Sequence, residues 1–273
     1  MLKAQFSKLL RQLGLLMIVD RLRFSAMQLK NRSRNAAFKR NHPEVPLPPD
    51  YLIYESFQID YEQYYTGSIQ SAKNIVDRIG NHIELKGVNI LDWGCGPGRI
   101  IRQLPGLVGE GCQFYGTDYN KESIDWCTEN LPGIHFNNNS LEAKLPYPDG
   151  FFDVIYGISI FTHLSEKMHH DWYAELSRVL KPNGVMYLTT QGDNFKSKLT
   201  HEELGLFNQG KLVVRGNVKE GHRVFSAFQP KTFMHQFFSN ARVLEHIETP
   251  VSGSWIPQDA WIIQKTAGIS DSK

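Results

Sequence analysis

The stretch Ile90-Leu91-Asp92-Trp93-Gly94-Cys95-Gly96-Pro97-Gly98-Arg99 constrains this chain more than any other segment. An apolar run that ends on an acid reads as a buried strand, and glycines at alternating positions let the backbone bend sharply and approach a ligand closely. The residues beyond Gly98 read as a helix start, which presents free amide donors and a positive dipole end. A dinucleotide-binding loop is the competing use of such a turn. The spacing here is GxGxG rather than GxGxxG, and Asp92 at the strand end disfavours a pyrophosphate but suits a cationic group. Twenty residues after Gly98, a second apolar run ends on Asp118. A carboxylate at a strand tip can accept hydrogen bonds from a ribose diol; its other common use is as a cap or turn residue.

Downstream of Val88, apolar runs alternate with helical patterns. Strands are expected at 88–92, 113–118, 134–137, 153–159, 185–190, 242–247 and 260–264, and helices at 68–79, 99–104, 121–130, 166–180 and 231–238. This alternation predicts an α/β fold, a doubly wound parallel sheet covered on both faces, with its ligand crevice at the carboxyl ends of the strands. The length of 273 residues allows one large domain with additions, and 41% hydrophobic with 21% charged residues supports a packed core. Cys95, Cys112 and Cys127 form no CxxC pair, so a disulfide scaffold, a zinc ribbon or another metal site is not expected and a reducing, cytoplasmic setting is. No apolar run approaches the ~20 residues of a membrane span.

Residues 88–190 resemble the class I S-adenosylmethionine-dependent methyltransferases. The resemblance rests on Ile90–Arg99, on Thr117-Asp118-Tyr119, on Leu145-Pro146-Tyr147-Pro148-Asp149-Gly150-Phe151-Phe152-Asp153-Val154-Ile155, and on Glu175-Leu176-Ser177-Arg178-Val179-Leu180-Lys181-Pro182-Asn183-Gly184. Ile160-Phe161-Thr162-His163-Leu164-Ser165 and Leu188-Thr189-Thr190-Gln191-Gly192 further resemble a bacterial subgroup, many of unassigned substrate. The family implies a Rossmann-like, mostly parallel sheet of seven strands whose last strand, here 260–264, runs antiparallel. It also implies S-adenosyl-L-methionine as cofactor. Gly94, Gly96 and Gly98 would wrap its methionine and ribose portion, with Trp93 and Cys95 in the same loop. Asp92 would face the amino end, Asp118 would hold the ribose hydroxyls, and Tyr119 would pack on adenine. Asn139, Ser140 and Leu141 occupy the position that reads the adenine edge, where many relatives carry aspartate. Ser159 stands at the mouth of the crevice. Cys95 reads as a small spacer, since methyl transfer needs no enzyme thiol.

Methyl transfer to a hydroxyl needs a group that takes its proton. His163 is the candidate catalytic base, against the alternative that it caps or packs the following helix. The pair His169-His170 reads as surface. The absence of an Asn/Asp-Pro-Pro-Tyr-like motif removes the usual signature of adenine-N6 DNA methylation. The aromatic run from Tyr51 to Tyr65 either lines an acceptor pocket or packs the N-terminal helices. The insertion 193–235, with a hairpin-like pair 212–215 and 222–228, reads as a substrate lid in which His222 and Arg223 meet a polar acceptor or solvent.

Residues 1–42 carry ten basic side chains against the single acid Asp20, so the remainder carries 20 bases and 27 acids. Leu2, Phe6, Leu9, Leu13 and Leu16 share one helical face. This arm docks on the body or a second subunit, lies on an anionic membrane surface, acts as a transit peptide or meets nucleic acid. The acidic body argues against nucleic acid as partner. A proline cluster at 43–49 ends the arm, which gives an N-terminal arm and linker at 1–48, a methyltransferase domain at 49–267 and a tail at 268–273. The expected function is methylation of a small-molecule or glycan acceptor, at oxygen. The alternatives are a lipid or quinone precursor methylated at a membrane surface through peripheral contact by residues 1–42, and a non-catalytic cofactor-binding protein.

Overall fold

The computed structural model of the protein describes residues 14–253 and 255–266. In chain order its elements begin with α1 (Leu16–Asn41), α2 (Asp50–Ser56), α3 (Tyr61–Gly80), β1 (Asn89–Trp93), β2 (Gln113–Asp118), α4 (Lys121–Asn130), β3 (His135–Asn138), β4 (Phe152–Gly157) and α5 (Glu166–Val179). Then follow β5 (Leu180–Thr190), α6 (His201–Asn208), β6 (Val213–Arg215), β7 (Ser226–Phe228), α7 (Lys231–Phe237), β8 (Ala241–Ile247) and β9 (Asp259–Lys265).

The seven expected strands form one sheet in the order β3-β2-β1-β4-β5-β9-β8. β1 pairs in parallel with both β2 and β4, so the chain reverses its direction of travel across the sheet between them. That reversal opens a crevice at the carboxyl ends, beside Trp93, Asp118 and Gly157. β9 runs antiparallel to both neighbours, β5 and β8. The central strands are buried on both faces, as a covered parallel sheet requires. Leu91, Trp93, Ile155, Met186 and Trp261 pack with Trp172 and Leu176 of α5 on one face. Ile90, Val154 and Tyr156 pack with Ala72, Ile75 and Ile79 of α3 on the other.

Three expectations change. The helix expected after the glycine loop is a 3-10 turn, Ile101–Gly106, because Pro105 has no amide proton to give an α-helical bond to Ile101 and Gly106 follows at once. The strand expected at 185–190 begins at Leu180 and takes in Lys181-Pro182-Asn183-Gly184 as a bulged β5, with Asn183 at φ 63° and a register shift against β4. His169 is fully buried, its Nδ1–H donating to Ser165 O at 2.8 Å, so only His170 of that pair is exposed.

The N-terminal segment is packed on the body. Phe24, Met27 and Phe38 of α1 join Val45, Tyr54, Ile59, Tyr61 and Tyr64 in one cluster. Asn31 donates to Ile59 O at 2.6 Å, Asn35 accepts from Tyr61 N at 3.1 Å, and Arg34 pairs with Asp60. Leu16, the last residue of the face expected for the arm, is half-buried; Leu2, Phe6, Leu9 and Leu13, like the tail 268–273, lie outside the described residues. Residues 193–235 build a satellite unit, in which Leu199, Phe207, Val213 and Phe228 cluster under α6 and the β6–β7 hairpin. Among the described residues no helix is long and apolar enough to cross a membrane.

Candidate active site

The glycine loop is clamped to the end of β2. Gly94 and Cys95 both donate their N–H to Thr117 O, at 2.8 and 3.0 Å. Gly96 N–H donates to Asp118 Oδ2 at 2.8 Å, and Asn120 N–H donates to Asp118 Oδ1 at 2.8 Å. From the N-terminal side, Tyr64 OH donates to Pro97 O at 2.6 Å. Gly94 has φ 78°, and a Cβ there would come within 2.1 Å of Ile160 Cδ1, so both the bend and the close approach require glycine.

Two buried acids flank this loop. Burial raises Asp118 to about 6, against the lowering effect of the amides of Asn120 and Gly96. Each of its oxygens accepts one of these backbone bonds, which leaves lone pairs for a ligand hydroxyl. Burial raises Asp92 to about 7, opposed by a 2.8 Å bond from Tyr156 OH. Arg99 lies in the same cleft as Asp92, its guanidinium 4.5 Å over the Phe57 ring and without a hydrogen-bond partner among the described residues. Acid and guanidinium together suit the ammonium and carboxylate of an amino-acid group.

Three adjoining cavities follow the strand ends. The smallest, about 60 Å³, is lined by Tyr119, Asn139, Ser140, Leu141, Leu164 and Trp172. The middle one, about 140 Å³, holds Asp118, Gly96, His163, Ser159, Glu55 and Arg223. The largest, about 980 Å³, opens past Asp92 and Arg99 to Phe57, Tyr187, Trp255 and Gln258. Gly94 lines all three.

The residues expected at this site converge, with differences in what their atoms do. Trp93 is buried against Phe161, its ring edge-on at 5.1 Å. Tyr119 donates to Gly221 O at 3.3 Å, so the insertion closes over it. Asn139 accepts from Thr117 Oγ1 at 2.7 Å and donates to Ser140 O at 2.6 Å, which turns its amide toward the protein. Cys95 is buried and its thiol is pushed well up by burial, as befits a spacer. Ser159 sits at φ 65°, held there by N–H donation to Thr189 Oγ1 at 2.7 Å and by Gln258 Nε2 donating to its Oγ at 2.8 Å. His163 lines the small and middle cavities but not the large one. Its Nδ1–H donates to Phe225 O at 2.7 Å, and burial lowers its pKa, so the ring is neutral with Nε2 as its acceptor.

Sequence reasoning placed Arg223 in a lid but missed what it meets there. Arg223 donates to Asp20 Oδ1 at 3.2 Å and stacks 3.8 Å over Tyr54, whose OH donates to the same Asp20 oxygen at 2.8 Å. Thus α1, α2 and the insertion meet above the middle cavity. Tyr54, Tyr61 and Tyr64 serve packing, whereas Phe57 of the same aromatic run lines the large cleft. Arg99 was legible as the residue closing the glycine loop, but only its unpaired burial gives it a role. Away from the crevice, His246, Glu248 and Asp259 bring ligand-type atoms within 4.8 Å of one another. His246 is engaged with Asp259 at 3.0 Å and Glu248 with Lys231 at 3.3 Å.

Residues 90–184 match the family described as the methyltransferase domain. The phthiotriol/phenolphthiotriol dimycocerosates methyltransferase 1 of Mycobacterium ulcerans is 30% identical over 162 residues, which span 55% of this chain and 57% of that one. The chain therefore matches little more than half of that curated relative's length. Among solved structures, a methyltransferase from Methanosarcina mazei superposes with a TM-score of 0.54 at 20% identity, covering 69% of this chain and 97% of its own. The 1,6-didemethyltoxoflavin-N1-methyltransferase of Burkholderia thailandensis, solved with S-adenosylhomocysteine, gives 0.53 at 12% identity, covering 82% and 93%. These structures share the fold. The matched segment lies on the strands that carry the glycine loop and Asp118, so residues 90–184 of this chain are similar to the methyltransferase domain.

Proposed function

We propose that the chain transfers a methyl group from S-adenosylmethionine to a small-molecule hydroxyl held in the large cleft. The observation that carries this reading is the order of the three cavities, with the Asp118 and glycine-loop cavity between one floored by Asn139–Leu141 and one opening past Asp92 and Arg99. The residues fit the cofactor in size and charge. Asp118 has acceptor capacity for the ribose hydroxyls, Tyr119 and Leu141 offer apolar faces for adenine, and Asp92 with Arg99 complements the amino-acid end. When bound, S-adenosylmethionine supplies an electrophilic methyl group; the chain positions what attacks it.

In this proposal His163 Nε2 takes the proton of the acceptor hydroxyl across the boundary at Ser159 and Gly94, which line both the middle and large cavities. Phe57, Tyr187 and Trp255 in the large cleft offer aromatic faces for a sugar ring, which supports a glycan acceptor. A second reading, a lipid or quinone precursor, is favoured by Ile75, Ile158, Ile247 and Ile256 in the same cleft.

Calorimetric titration with S-adenosylmethionine, S-adenosylhomocysteine and NAD tests the cofactor. Micromolar binding of both adenosyl compounds without NAD binding is the expected result; folded protein that binds neither overturns the proposal. Once an acceptor is found by mass spectrometry, His163→Gln separates two roles. A base predicts kcat lower by roughly 100-fold or more. A latch that only holds Phe225 predicts a raised KM for the cofactor with kcat retained.

A further inference from the structure

We propose that the outward face of α1 is a docking surface for an anionic lipid bilayer. The helix has two apolar sides, and among the described residues only one has a partner. Leu16, Asp20, Phe24, Met27, Asn31, Asn35 and Phe38 recur at spacings of four and three and face the body. On the other side, Leu15, Ile18, Leu22 and Leu29 are 39, 59, 66 and 74% exposed. At about 100° per residue they fall within an arc of about 60°. Together with Met17 and Val19, they make six of the twelve large apolar side chains exposed among the described residues. That is a concentration that a solvated helix has no reason to carry.

The charges around the stripe decide its occupant. Arg21 and Arg32 flank it on one side, Arg23 and Lys30 on the other, all exposed and without ion-pair partners among the described residues. The helix has one acid, Asp20, and it points inward to Arg223 and Tyr54. An apolar ridge between two rows of cations matches an anionic bilayer, which offers acyl chains to the ridge and headgroups to the rows. A second copy docked through the same face would set cations against cations. Nucleic acid would satisfy the rows and leave the ridge in water. With no spanning helix among the described residues, α1 would lie along the surface. The inference does not depend on the identity of the methyl acceptor.

The test is co-sedimentation of the full chain with phosphatidylcholine vesicles and with vesicles containing phosphatidylglycerol. Binding to the anionic vesicles alone is expected, weakened at least tenfold between 50 and 500 mM salt by screening of about a Debye length. The triple substitution Ile18→Ser, Leu22→Ser and Leu29→Ser should weaken binding at least tenfold, as should Arg21→Glu with Arg32→Glu. Both variants should keep the thermal midpoint and the S-adenosylhomocysteine affinity of the parent, because these side chains face outward. Absence of vesicle binding, or binding that both variants retain in full, overturns the proposal. So does a concentration-dependent dimer in sedimentation velocity that the serine variant abolishes, which would make the ridge an interface between copies. Cofactor affinity is read separately in each case, so failure here leaves the methyltransferase reading standing.

Discussion

The crevice has a floor and a roof built on different principles. The floor is made of strand ends and the loop after β1, where every constraint is local: positive φ at the glycines, amides clamped to Thr117 and Asp118, acids buried beneath. The roof is made of α1, α2 and residues 216–225, and it is joined by Arg223, Asp20 and Tyr54, residues up to 203 positions apart. The floor is specified by backbone geometry and tolerates almost no change. The roof is specified by a few polar contacts between segments far apart in the sequence, and a change there should alter closure more than binding.

Gly94→Val is the severest test of the floor. A side chain at φ 78°, with its first carbon 2.1 Å from Ile160 Cδ1, must displace either the loop or Ile160. S-adenosylhomocysteine affinity should fall by roughly 100-fold or more, at a cost in stability of about 1–3 kcal/mol. Near-parental affinity by calorimetry would show that the loop is not the binding element. Asp118→Asn comes next. Both carboxylate oxygens accept backbone N–H groups, so an amide must point donors at one of them. We expect affinity lower by roughly 10- to 100-fold, through lost ribose bonds and a disturbed loop together.

The contrast between floor and roof is also a contrast in legibility. The strand positions, the crevice at their carboxyl ends and the places of Gly94, Asp92 and Asp118 could be read from the chain because period, glycine spacing and strand-end acids are local signals. The 3-10 turn at 101–106 was missed because the apolar pattern of Ile100, Ile101 and Leu104 suits either helix and Pro105 decides between them. Arg223 could be placed in a lid but not opposite Asp20, since no periodicity links residue 20 to residue 223. His163 was found by residue type; that its Nδ1 is held by Phe225 O depends on a hairpin 62 residues away. The face of α1 divides the same way: the period at Leu16 marked a helical face without saying what it meets, while the second ridge at Leu15, Ile18, Leu22 and Leu29 was hidden in a run apolar on several sides.

A pH titration sharpens the account of the floor. Burial holds Asp92 near 7 and Asp118 near 6, against about 4 for an unfolded carboxyl. Between about pH 4 and 7 the folded chain therefore keeps protons that the unfolded chain gives up, and these two groups make stability fall as pH rises through that window. A ligand ammonium beside Asp92 favours its ionised form. Binding should then expel a proton below pH 7, and S-adenosylhomocysteine affinity should rise by about tenfold from pH 6 to 8. Titration in two buffers of different ionisation enthalpy at pH 6.5 reads the proton directly. Asp92→Asn should remove both the release and the slope; an unchanged slope would assign it elsewhere.

The smallest expected effect belongs to the roof. Arg223→Ala removes the ion pair to Asp20 and the stack on Tyr54, and leaves a carboxylate that is 11% exposed bonded, among the described residues, only to the Tyr54 hydroxyl. Such a loss should cost about 1–2 kcal/mol of stability. Affinity should fall only about threefold, because Arg223 lines the middle cavity without contributing to the strand ends. Asp20→Ala alone should cost less, since it leaves a guanidinium that can reach water. The double variant isolates the contact: a coupling of about 1 kcal/mol or more between Asp20 and Arg223 is expected, with the same coupling appearing in cofactor dissociation rates. A coupling in stability without one in dissociation would make this contact a brace for α1 and not a closure over the cofactor. A fall in affinity as deep as that of Asp118→Asn would erase the distinction between floor and roof, because the cleft would then be held open or shut as one unit.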